Sequence, residues 1–353
     1  MELNDLYSDF QWGELEEQLK NLHPEWKFSI LDLLQAVLDG KGMDAVTNMG
    51  EQMKDMVFAE WGSYKNIFLM IVIITMLSAI FATFKDAFQN HQIADISFYI
   101  NYLILIILFI GLFQDTLDIG ESTLHKIEEF MKLFFPVYFI TVGTVSGTAT
   151  GVVYYEIACI VVYIIEVLLK TLLIPCISAY MLLVLMNGVW GEEKFEILLE
   201  LWKKTIKAVL KLVLGLLTGA SLIQSLITPI IDKLKGEVIY KTVEAIPGVG
   251  ELAEGAMRIW LGSAVLIQNS IGVVGCLLLL IFSLVPLIKI GITGCMLKGV
   301  AMILSMVGDK RMIQCTNYVG DGVFLLFQTV AYGILFFFVV IAITAYSTSG
   351  MLG

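Results

Sequence analysis

The chain has 353 residues, of which 58% are hydrophobic, and a net charge of −11 at neutral pH. So apolar a composition excludes a soluble globular domain, and several runs are long enough to cross a hydrocarbon core of about 30 Å. No basic stripe is available to neutralise phosphates, which argues against nucleic acid as a partner.

The acidity is local. Residues 1–63 hold 13 of the 33 acids and 4 of the 22 bases, a net −9, and the rest of the chain carries −2. This stretch reads as an acidic amphipathic helical head. Ile30, Leu33, Leu34, Val37 and Leu38 keep helical spacing, and Gly40-Lys41-Gly42 stops that helix. Val46, Met49, Met53, Met56 and Val57 lie on the apolar side of a second helix. The opening Met-Glu-Leu-Asn-Asp has neither a basic n-region nor an apolar h-region, so no signal peptide is expected here.

Residues 64–114 read as the first two membrane helices, Tyr64 to Phe84 and Phe98 to Phe113. Residues 115–231 form a first membrane module. Asp115 to Lys132 is a polar amphipathic stretch holding His125 and five acids, Asp115, Asp118, Glu121, Glu128 and Glu129. Leu133 to Thr150 is a third membrane segment, containing Pro136. It ends in Gly143, Gly147 and Gly151, whose spacing clears one stripe for another helix backbone, in this chain or in another copy. The next apolar run breaks at Lys170, with Pro175 just beyond. A further run (Ile174 to Val189) leads to the loop Gly191-Glu192-Glu193-Lys194, an amphipathic helix (Phe195 to Ile206), and the run Ala208 to Ile231, where Gly215 and Gly219 repeat the small-residue step.

Residues 232–258 form the longest polar connection, with turn chemistry at Ile246-Pro247-Gly248-Val249-Gly250. Residues 259–350 form a second membrane module. The run Met257 to Val285 is broken at Asn269-Ser270-Ile271-Gly272, as one span or a re-entrant pair, and Pro286 to Val307 follows. Gly308-Asp309-Lys310-Arg311, the polar segment Met312 to Asp321 and the run Gly322 to Tyr346 complete the set. Gly151-Val-Val against Gly272-Val-Val, Pro175 against Pro286, and a Gly-acid-Lys loop in each half argue for an internal duplication. The fold class is all-α, a polytopic helical membrane protein of about 8–10 membrane segments, since in lipid a helix alone satisfies its own backbone within one segment.

Chemistry is scarce. Glu156 and Glu166 lie in one apolar run and Lys298 in another, so each should face protein or a water-filled cavity. A proton or ion relay and plain hydrogen bonding between helices both fit them, and Lys298 could partner either acid or snorkel. With three His, no HExxH, no GxxxxGK[ST] and no GxSxG, the chain is expected to be neither an enzyme nor a holder of a cofactor or metal. The five cysteines lack a CxxC pair and read as small buried residues.

Lys241 to Gly250 with Ala245-Ile246-Pro247-Gly248-Val249-Gly250, then Asn269-Ser270-Ile271-Gly272, Pro286-Leu287-Ile288-Lys289 and Gly308-Asp309, in this order within a multi-span chain, resemble the stage III sporulation protein AE family of endospore-forming Firmicutes. The resemblance implies a multi-pass protein of the mother-cell membrane around the forespore, with its head outside the cytoplasm. It implies a secretion or feeding channel complex needed for late forespore development. The implied partners are membrane lipid, the other stage III sporulation proteins of the operon including a secretion-type ATPase and, through the complex, stage II sporulation protein Q. No catalytic residue carries over. The alternative is a stand-alone permease for a small solute or ion, with Glu156, Glu166 and Lys298 at the midplane.

Overall fold

The computed structural model describes residues 32, 35–37, 68–74, 76–77, 80, 91–146, 156, 159–190, 195–215, 250–305 and 310–349. No strand occurs among them. Four of the described helices are long and apolar enough to cross a membrane: Tyr99–Phe139, Cys159–Val189, Ser270–Leu304 and Lys310–Ile341. The chain is therefore an all-helical polytopic membrane protein. Most of the acidic head, the Gly191–Lys194 loop, the Ile-Pro-Gly-Val part of the polar connection and Gly308-Asp309 lie outside the described residues.

Helix α1 spans His91–Ser146, 56 residues without interruption. It runs straight through the point between residues 114 and 115 where composition changes from apolar to polar. The reason is that its inner stripe stays apolar across the change. Tyr102, Leu105, Phe109, Leu112, Leu124, Ile127, Met131, Phe134 and Tyr138 are all buried at i, i+3, i+4 spacing. The acids Asp115, Asp118 and Glu121 occupy the exposed side. Thr116 and Thr123 are buried within the stripe and donate back to the Leu112 and Ile119 carbonyls, each at 2.6 Å.

The next segment contains seven residues of π-helix, Val167–Leu173, and continues as α2, Ile174–Trp190. Pro175 explains the widened turn. Its ring would press on the carbonyl four residues back, and it has no N–H to give. The Ile174 amide just before it donates to Leu169, five residues back. Residues 196–215 are helical and return beside α2. Trp202 Nε1 donates to the Cys176 carbonyl at 2.9 Å, and the Phe195 amide to Asn187 Oδ1 at 3.3 Å.

Helix α3 covers Gly250–Leu304 and α4 covers Lys310–Ser349. Helix α3 continues through Asn269–Gly272, where the sequence suggests a break, and through Pro286. Breaking the backbone ladder in apolar surroundings would leave carbonyls and amides without partners, at several kcal/mol each. Asn, Ser and Gly propensities of about 1 kcal/mol or less cannot outweigh that. Helix α4 is the hub: it packs along α3 and also touches α1, α2 and the π-helical segment. Phe130, Phe134 and Tyr138 of α1 stack at centroid distances of 5.4 and 5.6 Å and fill one end of the core.

Candidate functional site

The polar groups within the bundle gather in two places. The first lies between α1 and the π-helical segment. Glu128 is buried, its side chain only 3% exposed, and takes the ammonium groups of Lys132, one turn on, and Lys170 from across the interface. Glu166 lies one turn before Lys170, at 3.7 Å from its Nζ. His125 completes the group: Nδ1 is 3.7 Å from Glu128 and Nε2 is 3.6 Å from Glu129. Two carboxyl groups and two ammonium groups thus neutralise one another in a region walled by Leu124, Ile127 and Leu169. The π turn matters because it alters the angular position of Lys170 by one extra residue per turn.

The second group joins three helices. Lys298 of α3 donates to the Asn317 carbonyl at 2.9 Å and to Asn317 Oδ1 at 2.6 Å, and lies 2.7 Å from Asp321 Oδ1. The other oxygen of Asp321 is 2.9 Å from Lys203, on the helix of residues 196–215. The stem of Lys298 crosses α4 at Gly320, where a Cβ would stand 3.3 Å from its Cδ and Cε. One turn away Tyr318 donates to Glu196 at 2.8 Å, again bridging α4 to residues 196–215. Farther toward the same end, the Tyr102 hydroxyl of α1 donates to the Leu185 carbonyl of α2 at 3.1 Å and sits 3.2 Å from Cys315 Sγ of α4.

Of the residues singled out in the sequence, Glu166 joins the first network and Lys298 the second. The partner of Lys298 is Asp321, in a different place from Glu166. Glu156 is exposed. Gly143 lies in α1, and Gly250 begins α3. Gly215 is exposed, and a Cβ there would meet nothing within 4 Å. Gly147, Gly151, Gly219, Pro247 and Gly248 lie outside the described residues. Among the described glycines the closest helix contacts are at Gly188, where a Cβ would stand 1.8 Å from the Tyr102 hydroxyl, and at Gly275, where one would stand 2.3 Å from Phe134 Cζ. Among the described residues no group of three or more His, Cys, Asp or Glu is arranged to hold a metal ion.

Glu128, Lys170, Asn317, Asp321 and Lys203 do not stand out as a site in the sequence. Part of the signal was present, since Glu128-x3-Lys132 and Glu166-x3-Lys170 are both acid-before-base pairs at i, i+4 in apolar surroundings. That one carboxylate takes a lysine from each pair has no sequence signature.

A multi-span helical bundle whose internal charges pair between helices defines a polytopic membrane protein held by polar cross-ties. Residues 28–348 match the family described as stage III sporulation protein AE, and the chain belongs to that family. It is similar to the stage III sporulation protein AE of Bacillus subtilis (strain 168), with 20% identity over 283 residues, covering 80% of this chain and 70% of that protein. No solved structure matches it.

Proposed function

We propose that this protein is the membrane component of a secretion or feeding channel complex between mother cell and forespore, required for late forespore development. It works there as a non-enzymatic subunit beside the other stage III sporulation proteins of its operon, including a secretion-type ATPase. Through the assembled complex it meets stage II sporulation protein Q. Its place is the mother-cell membrane around the forespore. Family membership over residues 28–348 carries this reading. The geometry favours a scaffold within it, because Glu128, Glu166, Asp321, Lys170, Lys203 and Lys298 spend their charge on one another across helix interfaces.

The test is isolation of the tagged full-length chain from sporulating cells in mild detergent. The reading expects the operon's ATPase and the other stage III proteins to co-purify. It also expects deletion of the gene to stop late forespore gene expression and Glu156→Gln to restore it fully. A chain that purifies alone, with Glu156→Gln inactive, would favour the stand-alone permease instead.

A further inference from the structure

Two outward stripes of opposite charge stand at the same height on the bundle. On α1, Asp115, Asp118 and Glu121 are exposed, and no base occurs between Gly111 and Leu124. On the helix of residues 196–215, Lys204 and Lys211 are exposed and Lys207 is half-buried, and no acid occurs between Leu201 and Gly215. Lys203, the remaining lysine of that helix, is spent on Asp321. Among the described residues, Asp115, Asp118, Glu121, Lys207 and Lys211 have no ion-pair partner in their own chain, and Lys204 has the exposed Glu200 at 3.0 Å.

Contacts around α4 set the heights. Tyr102 meets Cys315, a Cβ on Gly120 would stand 3.1 Å from Leu326, and one on Gly333 would stand 2.6 Å from Leu124. Helix α1 therefore runs parallel to α4, and Asp115, Asp118 and Glu121 lie level with Phe324, Phe327 and Val330, both helices rising about 1.5 Å per residue. The helix of residues 196–215 runs the same way. Glu196 accepts from the Tyr318 hydroxyl at 2.8 Å, and Lys203 lies 2.9 Å from Asp321. Trp202 bonds Cys176, and Cys176 lies between Met181 and Leu169, which face Gly322 and Gly333 of α4. Lys204, Lys207 and Lys211 are thus level with Leu325, Gln328 and Tyr332 to within a turn. Each stripe is about 10 Å long, and the two coincide in height. Helix α2 stands between them, bonded to α1 through Tyr102 and to residues 196–215 through Trp202, so the stripes look out on either side of it.

The equal height selects the occupant. Copies inserted the same way into one bilayer share every level, wherever along the helices that bilayer is centred. A match in height within one chain is then a match in register between neighbours. The acids of one copy meet the lysines of the next with no shift along the membrane normal. Solvent would satisfy either stripe alone, but it gives no reason for the opposite charge at equal height beyond α2.

We propose that the α1 face from Asp115 to Glu121 docks a second copy of this chain through that copy's Lys204, Lys207 and Lys211. The contact joins two different surfaces, so it repeats head to tail and builds a ring or an arc. Opposite charges fix the register, and like charges reject a slipped neighbour. Self-association of this kind is separate from the proposed place in a sporulation complex and needs no other subunit.

The experiment expresses two differently tagged copies of the full chain in non-sporulating cells and measures how much of one tag is recovered with the other in mild detergent. Wild-type copies should co-purify. A chain carrying Asp118→Lys and Glu121→Lys should lose self-association by about fivefold or more, and so should one carrying Lys207→Glu and Lys211→Glu, because each then sets like charges together. The two reversed chains expressed together should recover it, since each supplies the charge that the other now lacks. A second measurement leaves the remaining charges in place. With the five native cysteines replaced, Glu121→Cys in one copy and Lys211→Cys in the other should be joined by a short bis-maleimide, whereas Leu103→Cys, several turns away, should not be joined to Lys211→Cys. Wild-type copies that purify apart would overturn the proposal, as would reversed chains that still self-associate. Loss in each reversed chain without recovery in the mixture would also overturn it, and would assign the stripes to another subunit or to lipid head groups.

Discussion

Asp321→Asn is the substitution for which the geometry gives the clearest expectation. The carboxylate is 15% exposed and holds two lysines from two different helices, Lys298 at 2.7 Å and Lys203 at 2.9 Å. The amide keeps the shape and removes the charge. Lys298 retains both Asn317 acceptors. Lys203 loses its Asp321 counter-charge, and the two like charges are left on either side of a neutral group. Removing one partner of a fully buried pair costs about 3–5 kcal/mol, and exposed pairs are worth about 0–1 kcal/mol. The lysine side chains here are 29% and 30% exposed, so the expectation lies between these limits, at about 2 kcal/mol. The assay is equilibrium unfolding in mild-detergent micelles by SDS titration, followed by loss of helix. The triple variant Asp321→Asn, Lys203→Met, Lys298→Met should recover most of the loss, because exchanging a whole polar network for apolar groups is close to neutral. An Asp321→Asn protein as stable as wild type would refute the claim that this carboxylate ties α3, α4 and residues 196–215 together.

Gly188→Ala should destabilise by about 1–3 kcal/mol in the same titration, because its Cβ would fall 1.8 Å from the Tyr102 hydroxyl, and the ring is buried with that hydroxyl held by the Leu185 carbonyl and Cys315. Trp202→Phe should cost about 1 kcal/mol for the lost bond to the Cys176 carbonyl. Glu156→Gln, at an exposed position, should stay within about 0.5 kcal/mol of wild type and sporulate normally, as counted by heat-resistant colonies.

Much of the architecture is legible in the sequence because lipid imposes it. The apolar runs around residues 98–113, 174–189, 286–304 and 322–346 all fall within helices, since any other backbone would leave its amides unpaired in hydrocarbon. Element ends are less legible. The acids between Asp115 and Glu129 resemble a loop or interfacial helix by composition, yet they decorate one side of α1 while Leu124, Ile127 and Met131 keep the other side in the core. Asn269–Gly272 resembles a break and is carried by its helical neighbours. The GxxxG pattern records which side chains are missing, not which helix is opposite. Gly188 and Gly275 have no such spacing, and they receive Tyr102 and Phe134. The networks fail to show for the same reason. Glu166 and Lys298 stand out as charges in apolar runs, but the ties across the bundle link residues 42 positions apart in one case and 23 in the other, Glu128 to Lys170 and Lys298 to Asp321. Only the helix arrangement decides such pairs.

The measurement that bears most directly on the account is a double-mutant cycle on Glu128 and Lys170, the cross-helix pair at the π turn. Glu128→Gln, Lys170→Met and the double variant would each be unfolded in micelles beside the wild type. The account predicts that the two changes are not additive, with a coupling of more than about 1 kcal/mol, because the double variant removes both charges and strands neither. Additivity within about 0.5 kcal/mol would contradict it, since two residues whose losses simply sum do not hold their helices together.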